Sequence, residues 1–461
     1  MKHFILVKSI LTLIIFCLLA NFNTVLSQTG PGGVGNVNSN SILRTWLDAS
    51  ALDAANGDAV VSWTDRSGNT GDATHATAGR QPLFTTGALN GLPVLRFDGS
   101  DDRLDLPAAL NTNANGILQR DYTVIAVAAR RTTTSDDGWV LYGSAGANTN
   151  NLYLGWRGNT NSKFRFSQFG GGNNEVEVEP GDYVNNGVNQ FAIFTGTLEQ
   201  TASPARNLYE NSSLIGTATG NTPLASWAGA ALGRGFNSTD YSSVDIAEII
   251  FYRRALAGAQ RIILENYLSA KYDLPIANDH YSGDLVANGN FDYDVIGVGQ
   301  EDDVQNIQAQ GDALRLIADV TALDNGDYLL AGHHNTPHGT ATTDLPATVQ
   351  ERWARSWYVD KTGALDATLR FDLYKVHPGR IFSTIKNNYV LLRKNGSVYE
   401  VVPVAEADKD VNNESQVSFR VSDAQLIDGE YTVGTLNATT TPLAGFSLDV
   451  REFCEYRANF N

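Results

Sequence analysis

The chain is poor in cysteine and in positive charge. Its two cysteines are Cys17 and Cys454, and the first lies in an N-terminal segment that is expected to be removed. With one cysteine left, no intrachain disulfide can form. Only 33 Lys and Arg residues stand against 50 Asp and Glu residues, so the net charge is −17. This balance excludes nucleic acid and anionic membranes as expected partners, because both attract positive charge.

Long apolar runs are also missing, except at the start of the chain. Lys2, His3 and Lys8 precede an apolar run at residues 10–20, and small and polar residues follow up to Ser27. This layout is typical of a secretory signal peptide, with cleavage after Ser27. The run is shorter than the roughly 20 residues that a membrane span needs. We therefore expect a secreted or outer-cell-surface protein with no membrane span in its mature chain.

Glycine, in contrast, is abundant at 43 residues and recurs with Asn in predicted turns. Short apolar segments separated by these turns, such as 93–98 and 122–129, predict a β-sandwich. The segment 244–252 is apolar at nearly every position, which predicts a central strand covered on both faces. Its Glu248 is expected to be buried and paired with an Arg or a hydroxyl group, because an unpaired buried carboxylate is costly.

A single helix is predicted directly after this central strand. The apolar period changes to that of one helical stripe, and Pro275 is expected to end the helix. The stripe consists of Leu256, Ile263, Tyr267 and Ala270. A polar, turn-rich junction follows at 277–290, and alternating segments such as 368–373 and 417–421 then predict a second, smaller β-sandwich.

Several blocks resemble known exported domains. Residues 43–50 (LRTWLDAS), 61–69 (VSWTDRSGN), 89–104 (LNGLPVLRFDGSDDRL) and 245–256 with the following helix resemble, in order and spacing, a bacterial concanavalin A-like, laminin-G-like jelly-roll domain. The resemblance covers residues 41–274. Many relatives carry Asp where this chain has Ala247, and this departure argues against a calcium assignment on this strand.

The second half carries a different resemblance. Residues 291–302, 326–333 and 351–361 resemble a domain of unknown function that often follows the laminin-G-like domain in exported proteins of gliding Gram-negative bacteria. The expected fold class is all-β: a concanavalin A-like jelly-roll β-sandwich with a C-terminal exit helix, followed by a second, smaller β-sandwich. The expected organisation is signal peptide 1–27, flexible leader 28–41, jelly roll 42–277, second sandwich 278–437 and tail 438–461.

Acidic turns are candidates for calcium binding. Calcium takes six to eight oxygen ligands, which carboxylates in tight turns can supply, and related domains often hold calcium near one sandwich edge. The alternative is an ordinary solvated turn in which Asp supports the backbone. The candidate calcium ligands are Asp65, Asp72, Asp98, Asp101 and Asp102.

The segment 175–179 (EVEVE) is the stretch most typical of an enzyme. In a strand, Glu175, Glu177 and Glu179 project from one face, with neighbouring positions ~6.6–7 Å apart. That spacing is compatible with the carboxylate pair of a retaining glycoside hydrolase. The alternative is a solvated edge strand whose charges discourage edge pairing.

Aromatic and histidine residues suggest further sites. Trp46 and Trp63 are expected in the core, whereas Trp139 and the pair Trp156 and Arg157 are candidates for a ligand-binding face. Three histidines at 333, 334 and 338 suggest either a metal or proton site or a polar loop.

Three functions remain open from the sequence. The first is a non-catalytic binding or adhesion protein whose laminin-G-like domain recognises a polysaccharide or a cell-surface glycan or protein, with Ca2+ as the only cofactor considered. The second is a glycoside hydrolase or polysaccharide lyase that uses the three glutamates. The third is a structural spacer of a surface assembly.

Overall fold

The computed structural model describes residues 28–447, apart from residues 39–40, 70, 115, 133–137, 144–150, 158–162, 170–173, 185–186, 226–228 and 236–239. The predicted signal peptide, both cysteines and Trp227 lie outside the described residues. No helix among those described is long and apolar enough to cross a membrane.

The first half of the chain is built from antiparallel strands. They are β1 (Leu43–Asp48), β2 (Ser62–Trp63), β3 (Ala73–Thr74), β4 (Leu83–Leu89), β5 (Leu92–Asp98), β6 (Leu104–Asp105), β7 (Tyr122–Arg130), β8 (Gly138–Tyr142), β9 (Asn151–Arg157), β10 (Lys163–Phe169), β11 (Glu175–Val178), β12 (Ala192–Leu198), β13 (Arg206–Glu210), β14 (Ser213–Ala218), β15 (Ala231–Leu232) and β16 (Ser243–Tyr252).

These strands form two packed sheets. Sheet 1 has the order β14-β13-β12-β7-β16-β5-β4, with β1 also paired to β16, and sheet 2 has the order β11-β10-β9-β8-β15-β6-β3-β2. Apolar side chains that alternate along the strands fill the space between the sheets, as expected for a sandwich. The predicted all-β fold with a first sandwich is confirmed.

Helix α1 (Gly258–Tyr272) follows, and the second half of the chain adds a further set of strands: β17 (Tyr293–Glu301), β18 (Val304–Asn306), β19 (Gln308–Gln310), β20 (Leu314–Ala318), β21 (Tyr328–His333), β22 (Thr340–Ala341), β23 (Glu351–Trp353), β24 (Trp357–Thr362), β25 (Ala367–Asp372), β26 (Tyr389–Asn395), β27 (Val398–Val401), β28 (Lys409–Val411), β29 (Gln416–Val421) and β30 (Gly429–Thr435).

The second set also forms a sandwich. Sheet 3 has the order β18-β17-β21-β24-β30-β23-β22, with β26 on β30 and β27 on β26, and sheet 4 has the order β19-β20-β25-β29-β28. A separate apolar cluster fills the space between them. The connections of both halves contain short 3-10 helices: Pro31–Gly33, Ala49–Ala51, Ala78–Arg80, Ala108–Asn111, Val286–Asn288, Leu373–Lys375, Lys386–Asn388 and Glu406–Asp408.

Strand β16 is central, as its apolar composition predicts. It pairs with β7 on one side and with β5 and β1 on the other. A bulge at Ala247 changes which face its side chains reach. Ile246 and Ile249 therefore both face sheet 2, while Glu248 and Ile250 face the helix. Simple alternation along the strand, which would place Ile246 and Glu248 on one face, is wrong here because of the bulge.

Helix α1 is buried on both sides. It packs on sheet 1 through residues such as Ile263 and Tyr267, and the same apolar cluster continues to Val295 and Leu330 of sheet 3. The protein thus has five layers: sheet 2, sheet 1, helix α1, sheet 3 and sheet 4. The helix ends at Tyr272, and its C-cap Asp273 takes a left-handed conformation with φ 52°, so the helix stops before Pro275.

A buried charged network connects helix α1 to β16. Glu248 is 1 % exposed and accepts hydrogen bonds from Trp46 Nε1 at 2.7 Å and Tyr272 Oη at 2.8 Å. Lys271 Nζ lies 2.7 Å from Glu248 Oε2 and 2.8 Å from Asp48 Oδ1, so one lysine serves two buried carboxylates. Burial raises the pKa of Glu248, whereas the Lys271 contacts lower that of Asp48 against the effect of its burial.

The start of the described chain differs from the flexible leader that its composition predicts. Pro31, Gly32 and Gly33 are buried, and Val34 belongs to the cluster around helix α1. Gln28 donates from Nε2 to Asn306 Oδ1 at 2.8 Å, which attaches this segment to the second sandwich. Small residues allow the close approach, because a Cβ on Gly33 would collide with Ala309.

Candidate functional site

The outer face of sheet 2, defined here by Trp139, Tyr142, Tyr153, Arg165, Glu175 and Glu177, carries aromatic and charged side chains. Their strand neighbours, such as Leu154 and Val176, point into the sandwich core. The rings of Tyr142 and Tyr153 stack at 5.6 Å and 3°, and Trp139 meets Tyr153 edge-on at 4.9 Å. All three rings are under 5 % exposed. They therefore form a packed base for this face rather than an open stacking surface.

Ion pairs border the aromatic cluster on the side of β10 and β11. Tyr153 Oη donates to Glu175 Oε1 at 2.9 Å, and Arg165 lies 2.5 Å from the same carboxylate. Arg165 also pairs with Glu177, and Lys163 lies 2.5 Å from both Glu177 and Glu179. Each of the three glutamates of the predicted catalytic set thus has a cationic partner on β10.

This pairing bears on acid catalysis. Partial burial raises the pKa of Glu177, but the Lys163 hydrogen bond and the Arg165 charge outweigh it and lower the pKa overall. A general acid of a glycoside hydrolase needs the opposite shift, so that its carboxyl stays protonated near neutral pH. The strand is also at the edge of sheet 2, which agrees with the solvated-edge alternative.

A cavity of about 460 Å³ opens beside the outer face. Ala231 of β15 pairs with Tyr142 on one side and with Asp105 on the other, so the cavity lies next to the aromatic cluster. Its polar lining comes from Arg103, Asp105, Asn111 and Arg234, and its apolar lining from Leu106, Pro107, Ala108, Leu110 and Ala230, with Gly229 at one wall. A few convergent polar groups on an apolar wall are typical of small-ligand sites.

The predicted ligand-binding residues separate in the structure. Trp139 belongs to the outer face, and exposed Arg157 ends β9 opposite Lys163. Trp156 is 2 % exposed and packs edge-on against Phe194 at 5.4 Å in the core. Neighbouring strand positions point to opposite sides of a sheet, which is why Trp156 and Arg157 cannot serve the same surface.

The predicted calcium ligands fall on two loops. Asp98, Asp101 and Asp102 have carboxylate oxygens within 4.8 Å of one another, and they are the one such cluster among the described residues. Asp65 and Asp72 belong to another turn, where Asp72 Oδ1 accepts from Asp65 N at 3.0 Å. Asp98 Oδ1 already accepts three backbone N–H groups of the turn, which leaves fewer oxygens for an ion. Three carboxylates fit part of a calcium shell, and further oxygens would have to complete it.

Asp102 is expected to make stability pH-dependent. Burial, with the charges of Asp98 and Asp101, raises its pKa to about 6. Because the folded pKa exceeds the unfolded one, the ionised group costs stability above pH 6, and this cost disappears as the pH falls. Lowering the pH from 7.5 to 5.5 should raise the free energy of unfolding by roughly 0.8 kcal/mol through this group. Denaturant titration of the native chain and of Asp102→Asn would measure it.

The variant is the control for this prediction. An asparagine keeps an oxygen for the hydrogen bond from Asp98 N, at 3.0 Å from Asp102 Oδ2, but does not titrate. The difference in stability between the two pH values should be smaller in the variant by this amount. An equal pH dependence in both chains would contradict the assignment.

The three clustered histidines have separate partners. His333 is 4 % exposed on β21, and burial, with the Arg355 charge, lowers its pKa to about 4. His334 stacks on Phe291 at 4.7 Å, and His338 Nε2 lies 2.9 Å from Asp312 Oδ2. They do not form a metal cluster in the described part of the chain. The polar-loop interpretation is wrong for His333, which is buried at the end of β21.

A second cavity, of about 250 Å³, lies where helix α1 meets the second sandwich. Its lining includes Arg66 and Lys271 on one side and Asp292 and Asp294 on the other. Both cationic side chains already form ion pairs within the protein. Arg66 pairs with Asp48 at 2.5 Å, and Lys271 pairs with Asp48 and Glu248. The outer face of sheet 2 and its adjoining cavity are therefore the better candidate.

Sequence reasoning overlooked most residues of this candidate site. Tyr142, Tyr153 and Arg165 belong to short alternating segments whose outer positions looked like any solvated face. Arg103 and Arg234 are 131 positions apart in the chain and line the same cavity because β6 and β15 are paired. A row of aromatic residues at outward positions of β8 and β9 was the one available signal.

Comparison with known proteins gives no family for this chain. No family model matches it, and no curated protein matches its sequence. Among solved structures, domain 4 of AbnA, a GH43 extracellular arabinanase from Geobacillus stearothermophilus, aligns with 15% identity over 48% of this chain and 97% of its own, at a TM-score of 0.34.

Two further structures show similarly weak likenesses. Trypanosoma rangeli sialidase aligns with 17% identity over 49% of this chain and 32% of its own, at a TM-score of 0.32. The Botulinum neurotoxin serotype D ligand binding domain aligns with 10% identity over 84% of this chain and 80% of its own, at a TM-score of 0.33. Likenesses of this size establish neither the fold nor the ligand of this chain.

Proposed function

We propose that this chain is an exported, non-catalytic binding protein whose first domain, a laminin-G-like module, recognises a saccharide. The ligand would lie in the cavity beside the outer face of sheet 2. The observation that carries the proposal is this cavity, which combines polar groups with an apolar wall. Strand β15 separates it from the aromatic cluster of Trp139, Tyr142 and Tyr153. Hydroxyl-rich ligands need this combination of hydrogen-bonding groups and apolar contact.

The absence of catalysis is part of the proposal. The three glutamates of residues 175–179 are engaged by Lys163 and Arg165, and the lowered pKa of Glu177 is unsuited to a general acid. The alternative, a glycoside hydrolase or polysaccharide lyase, requires that purified chain release new reducing or unsaturated ends from a bound polysaccharide. Detection of such products would show that the chain is an enzyme, and it would overturn the proposal of a non-catalytic binding protein.

A cavity-filling substitution tests the site. Ala108 is exposed and lines the cavity, so Ala108→Trp should occupy the space without disturbing the core. We expect the affinity for saccharides identified on a glycan array to fall at least ~10-fold, because a filled pocket excludes its ligand. Isothermal titration calorimetry with the array ligands would measure the change.

Ala424→Trp is the matched control, because Ala424 is exposed on the second sandwich. It should leave the affinity unchanged. Equal affinities of both variants and the native chain would place the ligand elsewhere. If the native chain bound no saccharide on the array, with or without calcium, the remaining hypothesis would be a structural spacer. Calcium at the turn of Asp98, Asp101 and Asp102 stays a prediction, and loss of binding in chelator would support it.

A further inference from the structure

We infer that the saccharide bound in the cavity beside sheet 2 is anionic and that Arg234 receives its carboxylate or sulfate group. This inference rests on the proposed saccharide-binding function and adds the chemical class of the ligand. The whole chain carries −17, yet two guanidinium groups and one carboxylate line this cavity.

The two arginines are not equivalent. Arg103 has its countercharge within the cavity, because its Nε lies 3.1 Å from Asp105 Oδ1. Arg234 forms no ion pair in the part of the chain that the structure describes, and it is this that separates it from Arg103. The buried Nε of Arg234, like that of Arg103, has no hydrogen-bond partner there. A buried charged donor without a partner is costly, and an incoming anion would remove that cost. The pair of Arg103 and Asp105 is neutral, so Arg234 leaves the cavity with an excess of positive charge.

The backbone holds Arg234 in place before any ligand arrives. Its neighbour Gly233 donates its N–H to Val140 O at 3.1 Å, and Gly233 O accepts from Ser242 N at 2.9 Å. The backbone of Arg234 itself forms an isolated antiparallel β-bridge with Tyr241. Gly233 has φ 70°, and a Cβ there would collide with the ring of Phe97. The glycine therefore lets the backbone pass close to the core, and this fixes the position from which the Arg234 side chain extends. A donor positioned in advance loses less entropy on binding.

The chemistry of the guanidinium group selects the ligand class. Its planar set of N–H donors matches the paired oxygens of a carboxylate or a sulfate ester. Asn111 adds a polar group to the lining, and Leu110 and Pro107 supply an apolar wall for a ring. A neutral sugar would leave Arg234 without a countercharge, and a cationic sugar would be repelled. A uronic-acid residue and a sulfated residue both satisfy these requirements.

The test compares four defined probes on the full mature chain: tetragalacturonic acid, its methyl ester, a sulfated galactan oligosaccharide and the corresponding unsulfated one. We expect at least one acidic probe to bind ~10–100-fold more tightly than its neutral counterpart, the range of one charge-assisted hydrogen-bonded contact. The preference should weaken as the salt concentration rises. Preference for the first or the third probe would distinguish the carboxylate from the sulfate.

Variants of Arg234 assign the preference to the cavity. Arg234→Gln should remove the difference between acidic and neutral probes, whereas Arg234→Lys should retain part of it. Arg254→Gln is the matched control, because Arg254 is an exposed arginine outside the cavity, and it should change nothing. Thermal melting of each variant would confirm that it is folded.

The outcomes separate this inference from the proposed function. If neutral and acidic probes bind equally and Arg234→Gln has no effect, the saccharide site stands and its anionic specificity is overturned. If the native chain binds none of the probes and no saccharide on an array, both are overturned. Binding of acidic probes that persists unchanged in Arg234→Gln also overturns the inference, since the anion would then lie elsewhere.

Discussion

Replacing Ile250 with aspartate is expected to prevent the first domain from folding. Ile250 is fully buried on β16, between Trp46 of β1 and Ile125 of β7, and it faces helix α1. The substitution removes a buried aliphatic side chain, which costs about 2–5 kcal/mol, and adds a buried charge without a partner. The sum is of the order of the whole stability of a domain. Expression as soluble protein, far-ultraviolet circular dichroism and limited proteolysis would measure the effect.

Ile385→Asp is the control for this prediction, because Ile385 is 49 % exposed on the second sandwich. It makes the same chemical change where water can solvate the carboxylate, and it should melt near the native temperature. Since helix α1 lies between the two sandwiches, we expect Ile250→Asp to loosen the second sandwich as well. A soluble Ile250→Asp chain with a cooperative, near-native melt would show that this strand is not in the core.

Lys271→Met is expected to lower the free energy of unfolding by about 3–5 kcal/mol, the usual cost of removing one partner of a buried ion pair. Asp48 and Glu248 are 2 % and 1 % exposed, and Lys271 contacts both. Without the lysine, Glu248 would lose its one cationic contact among the described residues, while Asp48 would keep Arg66. Chemical denaturation of the native chain and the variant at pH 7.5 would measure the loss.

A second substitution and a pH series identify the cause. Lys271→Met combined with Glu248→Gln should recover much of the stability, because the uncompensated charge is gone. The single variant should also recover as the pH falls, since burial raises the pKa of Glu248 and protonation neutralises it. Lys375→Met removes a half-exposed lysine 3.1 Å from Asp312 and should cost less than about 1 kcal/mol. Equal losses for Lys271→Met and Lys375→Met would contradict the role of the buried network.

Much of the fold could be predicted because it depends on local patterns. The apolar segment 244–252 predicted a central strand, and the structure has β16 from Ser243 to Tyr252. The change to helical spacing predicted the helix, which is Gly258–Tyr272. Alternating segments and Gly- and Asn-rich turns predicted both sandwiches. These features follow from backbone geometry, which acts over a few residues and is therefore legible in one sequence.

Features that require distant segments could not be predicted. One apolar stripe was visible on helix α1, but its opposite side is covered by sheet 3, whose position no local pattern records. The buried leader depends on contacts such as Gln28 with Asn306, which are 278 positions apart. The bulge at Ala247 arises from pairing with β7 and turns Glu248 toward the helix. Each of these three features depends on which parts of the folded chain come into contact, and no local pattern in the sequence records that.

The candidate site also combines features that local sequence patterns predict with features that only contacts between distant segments decide. The sequence by itself determined that this is an acidic, cysteine-poor, all-β chain with one helix, and it drew attention to Trp139 and to the three alternating glutamates. Only the tertiary structure placed Lys163 and Arg165 against those glutamates and buried Trp156. It also brought Arg103 and Arg234 to one cavity, because β6 and β15 pair across a long stretch of chain. Side-chain direction is a local property of a strand, whereas charge pairing and cavities depend on strand order in the folded sheet.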